Sequence, residues 1–256
     1  MTAASGDRRR ALVTGGGRGI GAAIVRALAE SGHDVTLTYR SAAGNAGALL
    51  DELARRFPEG RFAGHALDLS DKAAVETFVA GLHAAGPFSV LVHNAGQPYD
   101  SLAAMMDQAR AEAAMQVNFW SFTRLAAALV RPMTRARSGR IVVIGSVAAL
   151  RANQGNAAYA ASKAALLGYA RTLAIETARR GVTVNYVAPG FVDTEMMEPY
   201  AAHRAKMQEQ IPAGRFATPE DVAAVVAFLV SPLAGYVTGA VIPVDGGLSA
   251  AIGIHR

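Results

Sequence analysis

The chain has 256 residues, 52% hydrophobic and 18% charged, which is room for one large α/β domain and too apolar for a disordered or fibrous protein. It contains no cysteine, which excludes a disulfide scaffold, a thiolate metal site and a cysteine nucleophile, and is compatible with a reducing cytoplasm. The formal net charge of +5 is mostly arginine, since Lys72, Lys163 and Lys206 are the only lysines; no nucleic-acid motif accompanies it, so a basic surface that steers an acidic partner is expected.

Arg8-Arg9-Arg10 is followed by three apolar residues and then by Thr14 and glycines, so no export signal is read, and residues 1–10 are expected to form a flexible arm. The longest apolar runs, such as Val222 to Val230, fall short of the ~20 residues that a membrane span needs. Short β-rich runs predict strands at 11–14, 35–39, 61–67, 90–93, 141–145, 183–188 and 241–244. Each but the last is followed by a helical pattern. Residues 18–31 place Ile20, Ile24, Ala27 and Leu28 on one face, and residues 71–84 place Ala74, Val75, Phe78 and Leu82 on one. Strand and helix alternating this often require crossovers, hence a doubly wound parallel sheet of seven strands with helices on both faces. With no linker or repeat to split it, residues 1–256 read as a single domain.

The first strand runs into Thr14-Gly15-Gly16-Gly17-Arg18-Gly19-Ile20-Gly21 and a helix. Glycines there let the backbone approach a pyrophosphate at the helix N-terminus, where free N–H groups favour an anion; a tight turn without a ligand is the plainer alternative. The spacing parses as Gly17-x-Gly19-x-x-Ala22 or as Gly15-x-x-x-Gly19-x-Gly21, and the second agrees better with the motifs that follow. At the end of the second strand, where a carboxylate would hold a ribose 2′-hydroxyl, stands Tyr39-Arg40-Ser41. Arg40, helped by Arg18, would pair with a 2′-phosphate, which predicts NADP(H) over NAD(H). Further on, Tyr159 and Lys163 lie one turn apart in a helical pattern over 156–180. A free tyrosine, with a pKa near ~10, is a poor proton donor and acceptor at neutral pH, and a cation beside it favours the phenolate. Ser146 follows the strand at 141–145, on the carboxyl edge where open α/β sheets hold ligands.

Taken together, Thr14-Gly15-x-x-x-Gly19-x-Gly21, Asp68-Leu69, Asn94-Ala95-Gly96, Asn118, Ser146, Tyr159-x-x-x-Lys163 and Pro189-Gly190 occur in one order. On these residues the chain resembles the short-chain dehydrogenases/reductases over essentially its whole length, which implies a Rossmann fold. The resemblance implies that Tyr159 protonates a carbonyl oxygen as hydride arrives and that Ser146 polarises that oxygen. It implies that Lys163 lowers the Tyr159 pKa and binds the nicotinamide ribose, and that Asn118 holds a water that relays protons. Cofactor contacts are implied for Gly15, Arg18, Gly19, Ile20, Gly21 and Arg40, for Asp68 and Leu69 near the adenine, and for Asn94, Ala95 and Gly96 on the ribose side. Pro189, Gly190, Val192 and Thr194 would bracket the nicotinamide, and no metal is expected. The chain departs from the family in three places: His93 where asparagine is more usual, Gly16-Gly17 where Ala-Ser is common, and a bulky Phe119-Trp120. The first is read as a strand-end histidine with no catalytic part, the last as packing.

Within the family the stretches at 139–146, 185–191 and 211–215 are most similar to the 3-oxoacyl-(acyl-carrier-protein) reductases of fatty-acid synthesis. Arg137 and Arg180, in a cluster with Arg135, Arg140 and Arg179, stand where those enzymes dock the acidic acyl carrier protein. The implied activity is NADPH-dependent reduction of a 3-oxoacyl thioester, in fatty-acid or related polyketide or polyene synthesis. A sugar, steroid or quinone carbonyl reductase or an alcohol dehydrogenase is the alternative; a catalytically silent dinucleotide-binding subunit is a remote one. The resemblance also implies a cytoplasmic homo-oligomer, dimer or tetramer, paired through helices near 113–137 and 156–180. A mobile loop at 192–212 would cover the substrate, and residues 252–256 would reach a neighbouring subunit.

Overall fold

The computed structural model describes residues 8–84 and 86–251. Seven strands form one parallel sheet: β1 (Arg10–Thr14), β2 (Asp34–Tyr39), β3 (Phe62–Ala66), β4 (Val90–His93), β5 (Gly139–Ile144), β6 (Val182–Pro189) and β7 (Val241–Val244). Their order across the sheet is β3-β2-β1-β4-β5-β6-β7. All seven predicted strands are present, displaced by at most two residues at an end. The helices are α1 (Gly19–Glu30), α2 (Ala43–Arg56), α3 (Lys72–Ala84), α4 (Gln108–Met115), α5 (Ser121–Ala136), α6 (Ala157–Thr177), α7 (Arg204–Gln208) and α8 (Pro219–Val230).

The side-chain alternation of a strand divides the core in two. In β1, Ala11 and Val13 pack with Ile24, Leu28, Val222 and Val226 on the face covered by α1 and α8. Leu12 packs with Phe122, Leu125, Leu166 and Leu173 on the face covered by α5 and α6. Because both faces are covered, β5 and β6 are apolar nearly throughout and β6 is buried along its whole length. The edge strand β3 is largely exposed and carries Gly64 and His65 instead. Strand order reverses at β1, whose neighbours are β2 and β4; in such sheets a crevice opens beyond the carboxyl ends of the strands there.

Three expectations change. The terminal arm does not extend to residue 10, because Arg10 opens β1 and Arg8 pairs with Asp34 at 2.9 Å. Residues 1–7 and the proposed contact made by 252–256 lie outside the described residues. The helix expected near 113–137 starts earlier and is interrupted by a π turn at Gln116–Trp120. No glycine or proline marks this turn in the sequence. Side chains hold its carbonyls: Ser121 Oγ donates to Val117 at 2.7 Å, and Thr123 Oγ1 and the Arg124 guanidinium donate to Trp120 at 2.9 and 3.0 Å. The segment expected as a loop at 192–212 contains 3₁₀ turns over Glu195–His203 followed by α7. No helix among the described residues is long and apolar enough to cross a membrane.

Candidate active site

A cleft of about 940 Å³ lies at the carboxyl edge of the sheet. Every residue expected to touch the cofactor lines it, from Arg40 and Asp68 at one end to Tyr159, Pro189 and Gly190 at the other. The glycine turn explains its floor. Gly15 and Gly19 adopt φ of +63° and +51°, the left-handed region that glycine enters without strain. A Cβ on Gly21 would lie 2.0 Å from the Gly15 carbonyl oxygen, so the turn closes tightly on α1. Asn94 Nδ2 donates to the carbonyls of Thr14 and Gly15 at 3.2 and 2.9 Å and holds the turn from β4. No side chain caps α1, so its first N–H groups face the cleft, where a pyrophosphate fits both the space and the dipole. Gly16 has its own reason: a Cβ there would lie 2.7 Å from Leu37 Cβ, so the alanine common in the family would crowd β2.

Arg40 and Arg18, expected to act together on a 2′-phosphate, both line the cleft but have different surroundings. Arg40 is exposed on the cleft rim, and its positive charge contributes to holding Asp68 below the usual carboxylate range. The main cause of that shift is Ser70, whose hydroxyl and N–H donate to Asp68 Oδ1 at 2.7 and 2.9 Å. Arg18 is instead paired with Glu195 at 2.5 Å. Both partners are about half exposed, so the screened pair is worth at most ~1 kcal/mol and a phosphate can displace the carboxylate.

At the other end, β5 delivers Ser146 and α6 delivers Tyr159 and Lys163. Ser146 Oγ accepts the Ala148 N–H at 3.1 Å and is hydrogen-bonded to Tyr159. The Lys163 ammonium is buried and donates to the Ile144 carbonyl at 2.9 Å; burial pushes its pKa down to about 8. It lies 5.8 Å from the Tyr159 ring centre. Lys163 was expected to lower the Tyr159 pKa. Here burial raises it, the negative charge of Asp100 adds to the rise, and the hydrogen bond to Ser146 is what opposes them. The lysine amine itself is anchored on the β5 backbone.

Tyr186 was not singled out from the sequence, yet it ties these residues together. Its ring is wholly buried on β6, and its hydroxyl donates to the Lys163 carbonyl and accepts the Ser146 N–H, each at 3.1 Å. Gly145 makes this possible: a Cβ there would lie 1.7 Å from the Tyr186 ring. These two bonds join β6 to α6 and to the residue after β5, so no local sequence pattern announces them.

Asn118 is the one expected catalytic residue that lies behind the cleft wall. Its Oδ1 accepts the Gln97 N–H at 2.7 Å, and its Nδ2 donates to the Gln97 carbonyl at 3.0 Å and to Ser162 Oγ at 2.8 Å. Ser162 in turn donates to the Tyr159 carbonyl at 2.7 Å. The amide therefore braces the loop after β4 against α6. Of the bulky pair beside it, Phe119 packs edge-on against Tyr169 while Trp120 is half exposed.

The mouth of the cleft is polar on one side and adaptable on the other. Asp100 accepts from Tyr200 and from Asn156, which pins the segment after β6 to the loop after β4. Met196 and Met197 line the same opening. Arg137 and Arg180 are elsewhere: they precede β5 and β6, at the amino edge of the sheet. Six residues of β5 put about 20 Å between that edge and Ser146 within one chain. Arg137 terminates α5 in a left-handed conformation and its guanidinium reaches the Arg179 carbonyl at 3.3 Å.

A family model described as enoyl-(acyl carrier protein) reductase matches residues 15–249. The 3-oxoacyl-(acyl-carrier-protein) reductase FabG of Escherichia coli (strain K12) is 41% identical over 240 residues, 93% of this chain and 96% of its own. The chain belongs to the short-chain dehydrogenase/reductase family. Two solved members show the same fold. One is a putative NAD(P)-dependent gluconate 5-dehydrogenase from Beutenbergia cavernae with bound NADP, 37% identical, with a TM-score of 0.89 over 95% of this chain and 97% of that one. The other is a short-chain dehydrogenase/reductase from Serratia marcescens, 35% identical, with a TM-score of 0.87 over 94% and 98%.

Proposed function

We propose that this protein reduces a 3-oxoacyl thioester, carried by acyl carrier protein, to the 3-hydroxyacyl thioester with NADPH. The observation that carries the chemistry is the hydrogen-bonded Ser146–Tyr159 pair facing a glycine-floored cleft, with the buried Lys163 behind it. The relative FabG, named for this reaction and matching over nearly its full length, supports the substrate class. Arg40, exposed on the rim where a carboxylate would otherwise follow β2, supports NADPH over NADH.

When bound, NADPH supplies hydride to the carbonyl carbon. Ser146 accepts from Ala148, and when a substrate carbonyl enters, its proton can turn from Tyr159 to the substrate carbonyl oxygen. Tyr159, kept protonated by burial, gives its proton to that oxygen as charge develops. Lys163 holds positive charge beneath the pair and would hold the nicotinamide ribose hydroxyls, while Asn118 and Tyr186 keep α6 in place. Met196 and Met197 offer a flexible apolar wall to an acyl chain. Docking of carrier protein at Arg137 and Arg180 reaches a cleft some 20 Å away by a long prosthetic arm or across a subunit boundary. The half-exposed Trp120 and the exposed Ile175, on the helices expected to pair, support a homo-oligomer.

The description of the family model keeps a second reading in view, reduction of an enoyl C=C bond. Both are tested by following NADPH oxidation with acetoacetyl and crotonyl thioesters of acyl carrier protein and of coenzyme A. Turnover of the acetoacetyl substrates alone is expected. Turnover of crotonyl thioesters alone would establish the second reading, and turnover of neither by an enzyme that binds NADPH would overturn both.

A further inference from the structure

Behind the cleft wall one side chain joins the glycine turn to the catalytic helix. His93 ends β4 and is wholly buried. Its Nε2 lies 3.1 Å from the Asn118 carbonyl oxygen, which can only accept, so Nε2 carries the proton and donates. Its Nδ1 is then an acceptor and takes the Thr14 hydroxyl proton at 3.1 Å. The Thr14 oxygen in turn accepts the N–H groups of Asn94 and Ala95, both at 3.1 Å. The oxygen facing Nδ1 is thus already occupied as an acceptor, and a second ring proton would have no partner.

The carbonyl that His93 grips belongs to the π turn at 116–120. A π turn breaks the regular helical ladder and persists where something holds it. Ser121, Thr123 and Arg124 hold the Val117 and Trp120 carbonyls from within the helix, whereas His93 reaches the Asn118 carbonyl from the sheet. From there the Asn118 amide continues to Ser162, and Ser162 to the Tyr159 carbonyl.

We propose that His93, as a neutral imidazole protonated on Nε2, is a positioning residue that fixes the Asn118 turn against the end of β1 and so sets the spacing between the cofactor turn and Tyr159. It acts through Asn118 and touches no reacting atom. The groups around it agree with a neutral ring: Thr14 from β1, Asn118 from the π turn and Phe122 from α5, 5.0 Å away ring to ring, are uncharged, and Lys163 from α6 is positive. Burial first, and then that lysine, push the pKa of His93 down to about 3. The assignment deepens the proposed carbonyl-reductase reading and rests on it for its kinetic arm alone.

Two measurements on the full-length protein test it. Nitrogen-15 NMR of the histidine rings, with His93 assigned by comparison with His93→Asn, is expected to show the Nε2–H tautomer unchanged between about pH 5 and 8. A ring that titrates in this range, or that carries its proton on Nδ1, overturns the proposal whatever the substrate proves to be. In the second, His93→Gln keeps an amide donor near the Nε2 position, His93→Asn reaches the Nδ1 position alone, and His93→Leu keeps neither. With the NADPH dissociation constant within about threefold of wild type, kcat is expected to fall at least about tenfold in the Asn and Leu variants, and the Gln variant to recover most of it. A Gln variant as impaired as Leu, or Asn and Leu variants as active as wild type, overturns the positioning role. Should the Leu variant fail to fold, the Gln–Asn contrast and the NMR result decide. Absence of carbonyl reduction by wild type together with the expected tautomer would refute the proposed function and leave the His93 brace standing.

Discussion

Beneath the cleft, His93, Asn118, Lys163 and Tyr186 are almost wholly buried, and each is hydrogen-bonded to a backbone group of another element. Above it, the turns over Glu195–His203 bury no side chain and are tied down at the surface, by Arg18 on Glu195 and Asp100 on Tyr200. Breaking a buried hydrogen bond leaves a polar group without water or partner, at a cost of about 1–3 kcal/mol, whereas an exposed ion pair is worth at most ~1 kcal/mol. The floor is therefore built to stay and the roof to lift.

The contrast sets the order of effects. Tyr159→Phe should leave NADPH binding intact, as read by fluorescence titration, and lower kcat for acetoacetyl thioester by about 10²–10⁴. Gly145→Ala drives a methyl into the Tyr186 ring; urea unfolding should show a loss of about 3 kcal/mol, and an unchanged midpoint would mean that the floor is softer than its packing. The buried lysine gives a pH signature. Its folded pKa of about 8 is below its ordinary value of 10.5, so in that window the unfolded chain holds more protons and stability should rise as pH increases from about 8 to 10.5. Lys163→Met should abolish that part of the rise. The kcat/KM for NADPH, which reports the free enzyme, should fall above pH 8 as the same amine loses its charge, while Tyr159 remains protonated there.

Roof substitutions should be milder. Glu195→Gln frees Arg18 and should tighten NADPH by no more than about fivefold, while leaving the melting temperature in place. Loss of stability comparable to Gly145→Ala would erase the distinction between the two regions. Smallest of all, the Arg137→Ala, Arg180→Ala pair should raise KM for the carrier-protein substrate a few-fold and leave the coenzyme A thioester unaffected.

The strands and the chemistry-bearing residues were legible because each rests on local signals. Apolar runs bounded by polar turns gave β1 through β7, and the Tyr159–Lys163 and glycine spacings are helix and turn geometry read directly along the chain. What stayed hidden depends on elements far apart in sequence. His93 reads as a plain strand-end residue until Thr14 and Asn118 are seen on its two nitrogens. Tyr186 looks like any buried aromatic in a β-run, and Glu195 gives no hint that it claims Arg18. The π turn was missed for another reason: it keeps ordinary helix formers and differs by the width of one ring.

That widened ring also makes the helix preceding Asn118 an insertion frozen in place. Removing Phe119 or Trp120 would restore an even coil, but everything before the deletion would swing by about 100° around the axis relative to α5. The face of α4 now turned toward α6 would turn away, and Asn118 would leave both Gln97 and Ser162 without a single catalytic side chain having been changed. Length, at this point of the chain, is as much a part of the active site as composition.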